Sequence, residues 1–139
     1  MEIDLHSRVR ELVTHDMRTA DELSEVELRA ATSAELDLLA NQNPAYREHQ
    51  STLVPTVVAT ADQLHAVVVL PAGGELASLV QRLADEVQGV LVGTLIFRAW
   101  PKCPNHEHQL TANEEHGQAV WVCPQTHESV SEVGSYADV

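Results

Sequence analysis

Two cysteines and several histidines lie close together late in the chain, and these residue types bind transition metals. Cys103 is followed by His106, and Cys123 by His127, with sixteen residues between His106 and Cys123. Short-spaced Cys and His ligands separated by a longer loop are typical of tetrahedral zinc sites. A Cys-Pro step occurs at both cysteines, and the tight turn that it favours can direct backbone N–H groups at a thiolate. The spacing therefore predicts a zinc site.

The predicted ligands are Cys103, His106, Cys123 and His127, with His108 as an alternative fourth ligand. His108 competes because Cys103, His106 and His108 could bind one ion through a single local turn. The glutamates between residues 107 and 115 are interpreted as loop charges.

The stretch from about residue 100 to 134 resembles zinc-ribbon and zinc-knuckle modules, in which Cys-Pro-x-Cys or Cys-Pro-x-His turns sit at the tips of β-hairpins. The resemblance implies zinc as the cofactor and Cys103, His106 and Cys123 as ligands. A ribbon's second knuckle usually spaces its ligands by about two residues, whereas His127 follows Cys123 with three residues between them. The spacing of the second pair thus departs from the family pattern.

Two other interpretations of the cysteines remain open. A disulfide between Cys103 and Cys123 would close a loop of about 20 residues, and burial as two small apolar side chains would need no partner. The amino terminus lacks the basic and apolar segments of a secretory signal, and no apolar run reaches about 18 residues. We therefore expect a cytoplasmic protein, and the reducing cytoplasm disfavours the disulfide.

The formal charge of −13 argues against two classes of partner. Nucleic acids and anionic membranes are bound by clustered cations, whereas this chain has one lysine and seven scattered arginines. The acidity is interpreted first as a solubility property. A basic partner protein is the alternative.

The composition changes along the chain. Aromatic residues make up only 4% of the 139 residues, and four of the five lie in the last third. An aliphatic front and an aromatic tail that carries the Cys and His residues predict two structural parts. The expected division is an acidic α+β domain over 1–98, a zinc-ribbon-like module over 99–134 and a loose tail over 135–139.

Helices are predicted mainly from the spacing of apolar residues. This spacing indicates an amphipathic helix over 4–18 and a stronger one over 75–88. One or two further helices are expected within 21–42. Two spacings typical of a capping box mark where they would begin: Ser24 with Glu27, and Thr32 with Glu35.

Strands are predicted from β-branched runs. The runs at 53–59 and 64–70 indicate a β-hairpin, and Pro55 places its first strand at a sheet edge. Residues 90–97 are either a strand, which would complete a right-handed strand–helix–strand unit, or a continuation of the preceding helix. The predicted fold class is α+β: N-terminal helices, the hairpin and the strand–helix–strand unit, followed by the small β module.

The predicted function is that of a small soluble zinc protein with a structural metal site. We expect a non-enzymatic interaction or regulatory module that binds a protein partner, with self-association also compatible. A zinc-dependent hydrolase would need an open metal site and a base such as Glu107 or Glu115, and the usual zinc-enzyme motifs are absent. Metal storage or sensing through exchangeable histidines is a further alternative.

Overall fold

The computed structural model describes residues 4–61, 63–96 and 98–136. They form four α-helices and two antiparallel sheets, which confirms the predicted α+β class. The elements are α1 (Leu5–Met17), a 3₁₀ turn (Asp21–Leu23), β1 (Val26–Ala30), α2 (Ser33–Gln42), α3 (Pro44–His49), β2 (Leu53–Thr60), β3 (Gln63–Pro71), α4 (Leu76–Val90) followed by π-helical turns (Leu91–Ile96), β4 (Thr111–Glu115), β5 (Gln118–Val122) and β6 (Ser129–Glu132). The first sheet has the order β1-β2-β3 and the second has the order β4-β5-β6.

The segment 21–42 contains a strand that the sequence did not predict. Residues 26–30 pair with β2, so a helix beginning at Ser24 with a capping box to Glu27 is wrong. The alternation of buried and exposed residues in β1 outweighs the capping signal. The second capping box is confirmed, because the Thr32 hydroxyl accepts the Glu35 N–H and the Glu35 carboxylate accepts the Thr32 N–H.

Arg29 joins the end of β1 to the start of α2. Its guanidinium contacts both carboxylate oxygens of Glu35, at 2.7 and 2.8 Å. The hydrogen bond from Arg29, followed by that from the Thr32 backbone, lowers the pKa of Glu35 to about 2. This pair stabilises the turn between the strand and the helix.

The predicted β-hairpin is confirmed as β2 and β3, but the expected edge position of its first strand is wrong. Strand β2 lies in the centre of the sheet. The last pair between β2 and β1 is Thr56 with Ala30. Pro55 has no partner in β1, so its missing N–H costs no hydrogen bond to that strand.

The predicted helix over 75–88 is confirmed as α4, and the chain remains helical through Ile96. The helical alternative for residues 90–97 is therefore confirmed as far as 96, and the strand–helix–strand unit does not form; residue 97 lies outside the described residues. Leu91 is fully buried, which shows that the apolar face of α4 continues into the π-helical turns.

One buried cluster unites both sheets and the helices α1 and α4. It includes aliphatic residues such as Val13 and Leu83 together with Trp100, Leu110 and Trp121 from beyond residue 98. The division into 1–98, 99–134 and 135–139 stays a prediction about domains, but the core continues across residue 98. No helix among the described residues is long and apolar enough to cross a membrane.

Candidate metal centre

The second sheet brings the two cysteine-bearing segments to the same end of a hairpin. The turn between β4 and β5 contains His116 and Gly117, whose φ angles of 53° and 77° are both positive, as a tight two-residue hairpin turn requires. At the opposite end of the hairpin, Thr111 pairs with Val122. The loop that precedes β4 and the loop that follows β5 therefore emerge side by side.

The two Cys-Pro loops have a similar backbone closure. In the first loop, residues 103–108, the Cys103 N–H donates to the His108 carbonyl at 3.0 Å. In the second loop, residues 123–128, the Cys123 N–H donates to the Glu128 carbonyl at 2.9 Å. The same bond in each loop places His106 and Thr126 in equivalent positions.

Four side chains from these loops converge. The ligand atoms of Cys103, His106, His108 and Cys123 all lie within 4.8 Å of one another. The His106 Nδ1 lies 3.5 Å from the Cys103 Sγ and 3.6 Å from the Cys123 Sγ, while the His108 Nε2 lies 3.1 Å from the Cys123 Sγ. The two imidazole rings stack with centroids 4.9 Å apart.

Two of the three S···N distances match the separation expected around a tetrahedral ion, and the third, 3.1 Å, is shorter. Bonds of about 2.3 Å to sulfur and 2.0–2.1 Å to nitrogen give an S···N separation of about 3.6 Å at tetrahedral angles. Two of the observed S···N distances, 3.5 and 3.6 Å, agree with this value. The cysteines are buried and the two histidines are partly exposed. The group could therefore hold a metal ion with two sulfur and two nitrogen ligands.

Three of the predicted ligands and the alternative fourth residue, His108, lie in this group, whereas His127 does not. His127 is exposed, with a φ of 65°, and is equivalent in position to Glu107 of the first loop. The Glu107 side chain is 94% exposed, so this position faces solvent in both loops. The identity of the ligands in a metal-bound protein stays a prediction.

Thr126 stabilises the thiolate of Cys123. Its hydroxyl hydrogen bond is the largest cause that lowers the pKa of Cys123 to about 5, followed by the backbone N–H groups of Thr126 and Gln125 and by His108. A thiolate is the form of cysteine that binds metals. Sequence reasoning missed Thr126, although its place three residues after Cys123, equivalent to that of His106, is readable from the chain.

The first loop is fixed to α4 by Gln88, a polar residue that is only 4% exposed. Its side-chain amide donates to the Trp100 carbonyl at 3.0 Å and to the Leu110 carbonyl at 2.5 Å. These carbonyls flank the loop on its two sides. The buried amide therefore sets the position of the first loop relative to the helices.

Asp16, which is completely buried, fixes β5 and the segment after β6 to α1. Its carboxylate accepts hydrogen bonds from the Trp121 indole N–H at 2.7 Å, the Gly134 N–H at 2.7 Å and the Tyr136 N–H at 3.0 Å. The His15 ring also lies 3.0 Å from it. Sequence analysis missed this residue, although an aspartate three positions after Val13 lies on the apolar face of the helix.

Two tryptophans pack beside the cysteines. The rings of Trp100 and Trp121 meet edge to face with centroids 5.7 Å apart, and both residues belong to the buried cluster that includes Cys103 and Cys123. This agrees with the role in the core expected of amphipathic aromatic side chains.

The carboxylates considered as catalytic bases are engaged away from the four-residue group. Glu107 lies 3.9 Å from the Lys102 ammonium. Glu115 accepts a hydrogen bond from the Ser129 hydroxyl at 3.4 Å. Neither belongs to the group of converging ligand atoms.

The chain gave no significant match to a protein-family model, to a curated protein or to a solved structure. The geometry of the site is thus the basis for any statement about function.

Proposed function

We propose that this protein binds one Zn²⁺ through Cys103, His106, His108 and Cys123, and that the ion has a structural role. The observation that carries the proposal is the convergence of these four ligand atoms within 4.8 Å. Two thiolates and two imidazoles are a set that tetrahedral zinc prefers. Three of the four come from the first loop and one from the second, so the ion would hold the loops together.

We favour a structural role over catalysis because the four proposed ligands would fill all four tetrahedral positions. A catalytic zinc site keeps one position for water or substrate. Structural zinc contributes about 10–16 kcal/mol of apparent binding free energy, which is available to stabilise the fold. We propose a non-enzymatic protein that presents its surface to a protein partner, with the ion securing the second sheet.

Metal analysis of the purified chain tests the proposal. Elemental analysis with native mass spectrometry should find one zinc per chain, and Cys103→Ser should lose it. Co²⁺ in place of zinc should give the intense visible absorption of a tetrahedral site with two thiolates. A metal-free chain with two free thiols that fails to take up added zinc would refute the proposal.

Chelation separates a structural site from exchangeable storage. If the ion is structural, its removal should change the near-ultraviolet circular dichroism of Trp100 and Trp121, which pack beside the loops. An unchanged tryptophan signal after complete zinc removal would favour storage or sensing instead.

A further inference from the structure

A cleft of about 510 Å³ lies where α1, the start of α4 and the second sheet meet. Its walls include Leu12 of α1, Leu76 and Val80 of α4, and Ala119 of β5. None of its lining residues belongs to the candidate metal centre. The cleft is large enough for a short segment of a partner, since ligand pockets span about 300–1,000 Å³.

The buried residues that line the cleft are apolar, whereas its exposed residues are mostly polar or charged. Val80 and Ala119 are buried and Leu12 is partly buried. Leu76 is 38% exposed and is one of three large hydrophobic residues with marked exposure among the described residues. An apolar side chain placed in the cleft would cover Leu76 and remove this surface from water.

The rim of the cleft carries more negative than positive charge. It contains Glu11, Glu75 and Glu132. Its basic residues are Arg8, which pairs with Glu11 at 3.6 Å, and His15, whose ring lies 3.0 Å from Asp16. Glu75 occupies the N-cap of α4 without a side-chain capping bond. In the described parts of the chain, neither Glu75 nor Glu132 has a side-chain hydrogen bond or ion pair. Two carboxylates at the rim are thus available to a cationic ligand.

We propose that this cleft docks a peptide segment of a partner protein in which an apolar side chain is flanked by Lys or Arg. The buried apolar residues, with Leu12 and Leu76 beside them, fit the central side chain, and the free carboxylates of Glu75 and Glu132 complement the flanking cations. The net charge of −13 also attracts a cationic partner from a distance.

A defined peptide tests the docking site on the full chain. The probe is the capped tetrapeptide Arg-Leu-Leu-Arg, with Arg-Ser-Ser-Arg and Glu-Leu-Leu-Glu as controls. Titration into the ¹⁵N-labelled, metal-analysed protein should give saturable amide shift changes in the low millimolar range or below. The shifts should concentrate at Leu76, Gly117 and Gln118, and both control peptides should bind more weakly.

Matched variants distinguish binding at the cleft from non-specific electrostatic binding to an acidic protein. Glu75→Gln combined with Glu132→Gln should weaken binding about threefold to tenfold. Glu25→Gln combined with Glu48→Gln removes the same charge from exposed positions outside the cleft and should have little effect. Likewise Leu76→Ser should weaken binding, whereas Leu38→Ser, at another exposed leucine, should not.

Three results would overturn the docking proposal: no saturable shifts, shifts spread over the acidic surface, or equal effects of the cleft and control variants. Because the cleft contains no candidate ligand, this test is distinct from the zinc measurement. A chain without zinc that still binds the peptide at the cleft would refute only the metal proposal.

Discussion

The two Cys-Pro loops share one closing backbone hydrogen bond but place different side chains at the candidate metal centre. Each begins with a cysteine whose N–H is bonded to the carbonyl five residues later. The first loop adds two imidazoles to its thiol, whereas the second has Thr126 and Glu128 at the equivalent positions and directs His127 into solvent. A shared closing bond therefore does not imply equal shares of the candidate ligands. One loop contains three of the four candidate ligand atoms, and the other contains a single thiolate with its hydrogen-bond donors.

The two buried polar side chains that link this region to the helices also differ. A neutral amide, Gln88, donates to two carbonyls that flank the first loop, whereas a buried carboxylate, Asp16, accepts the Trp121 indole N–H from β5 and two backbone N–H groups from the segment after β6. Hydrogen bonds to a carboxylate are stronger than those between neutral groups. Tyr136, whose N–H donates to Asp16, also donates its hydroxyl to the Lys102 carbonyl beside the first loop, so the contacts of the carboxylate extend to both loops.

The largest effects are expected when Asp16 and Gln88 are each replaced by alanine. Asp16→Ala would leave three donors without an acceptor, and each buried unsatisfied group costs about 1–3 kcal/mol, so we expect a loss of at least about 3 kcal/mol in the free energy of unfolding. Gln88→Ala should cost less, about 1–3 kcal/mol. Urea unfolding of the zinc-loaded proteins measures both. Equal losses would show that the carboxylate and the amide stabilise the fold to the same extent.

Replacing His108 or His127 by alanine tests which of the two loops provides the fourth ligand. His108→Ala should weaken zinc binding by at least about a hundredfold, since even partners of the ligands contribute about 10–100-fold. His127→Ala should leave the affinity unchanged, because its side chain is exposed and outside the group. Competition against a chromophoric chelator gives both affinities. The reverse ranking would restore His127 as the fourth ligand.

Removing the hydroxyl of Thr126 should have a smaller effect. Thr126→Val keeps the shape of the side chain but removes the hydrogen bond to the Cys123 thiolate, and we expect about tenfold weaker zinc binding. Thr126→Ser, which retains the hydroxyl, is the control. If valine and serine variants bind zinc alike, the hydroxyl does not support the thiolate.

The metal-free protein should show the pH dependence of this thiolate. Between about pH 9 and pH 5 the unfolded chain holds the Cys123 proton that the folded chain has lost, so stability should fall as the pH falls through this range. The dependence should be weaker in Thr126→Val, in which the pKa of Cys123 lies closer to its ordinary value. Thermal unfolding after chelation at several pH values provides the measurement. Identical slopes for both proteins would contradict this assignment.

Regular local patterns in the sequence predicted much of the fold. The spacing of apolar residues located α1 and α4, and β-branched runs located β2 and β3. Strand β1 was missed because the spacing of Ser24 and Glu27 at its start is typical of a helix N-terminus. The sequence around the strand does not reveal its pairing with β2. The central position of β2 was missed for a related reason, because it results from the pairing with β1. Pro55 is compatible with this position because that pairing ends at Thr56.

The candidate site could be predicted only in part. Cys103, His106 and Cys123 are identifiable from spacing, but the choice between His108 and His127 depends on the path of the backbone within each loop. Asp16 lies 105 residues before Trp121, and a contact over this separation leaves no local pattern. The one sequence feature that marks Asp16 is its position as a carboxylate on the apolar face of a predicted helix.

The unequal division of ligands has a consequence for how the site would assemble. Three ligand atoms lie within residues 103–108, so they can capture an ion while the chain around them is still unstructured, with little loop-closure entropy. Cys123 is synthesised later and would meet an ion already held by the first loop at a high effective concentration. The metal would then act as a template on which the β4–β5 hairpin closes.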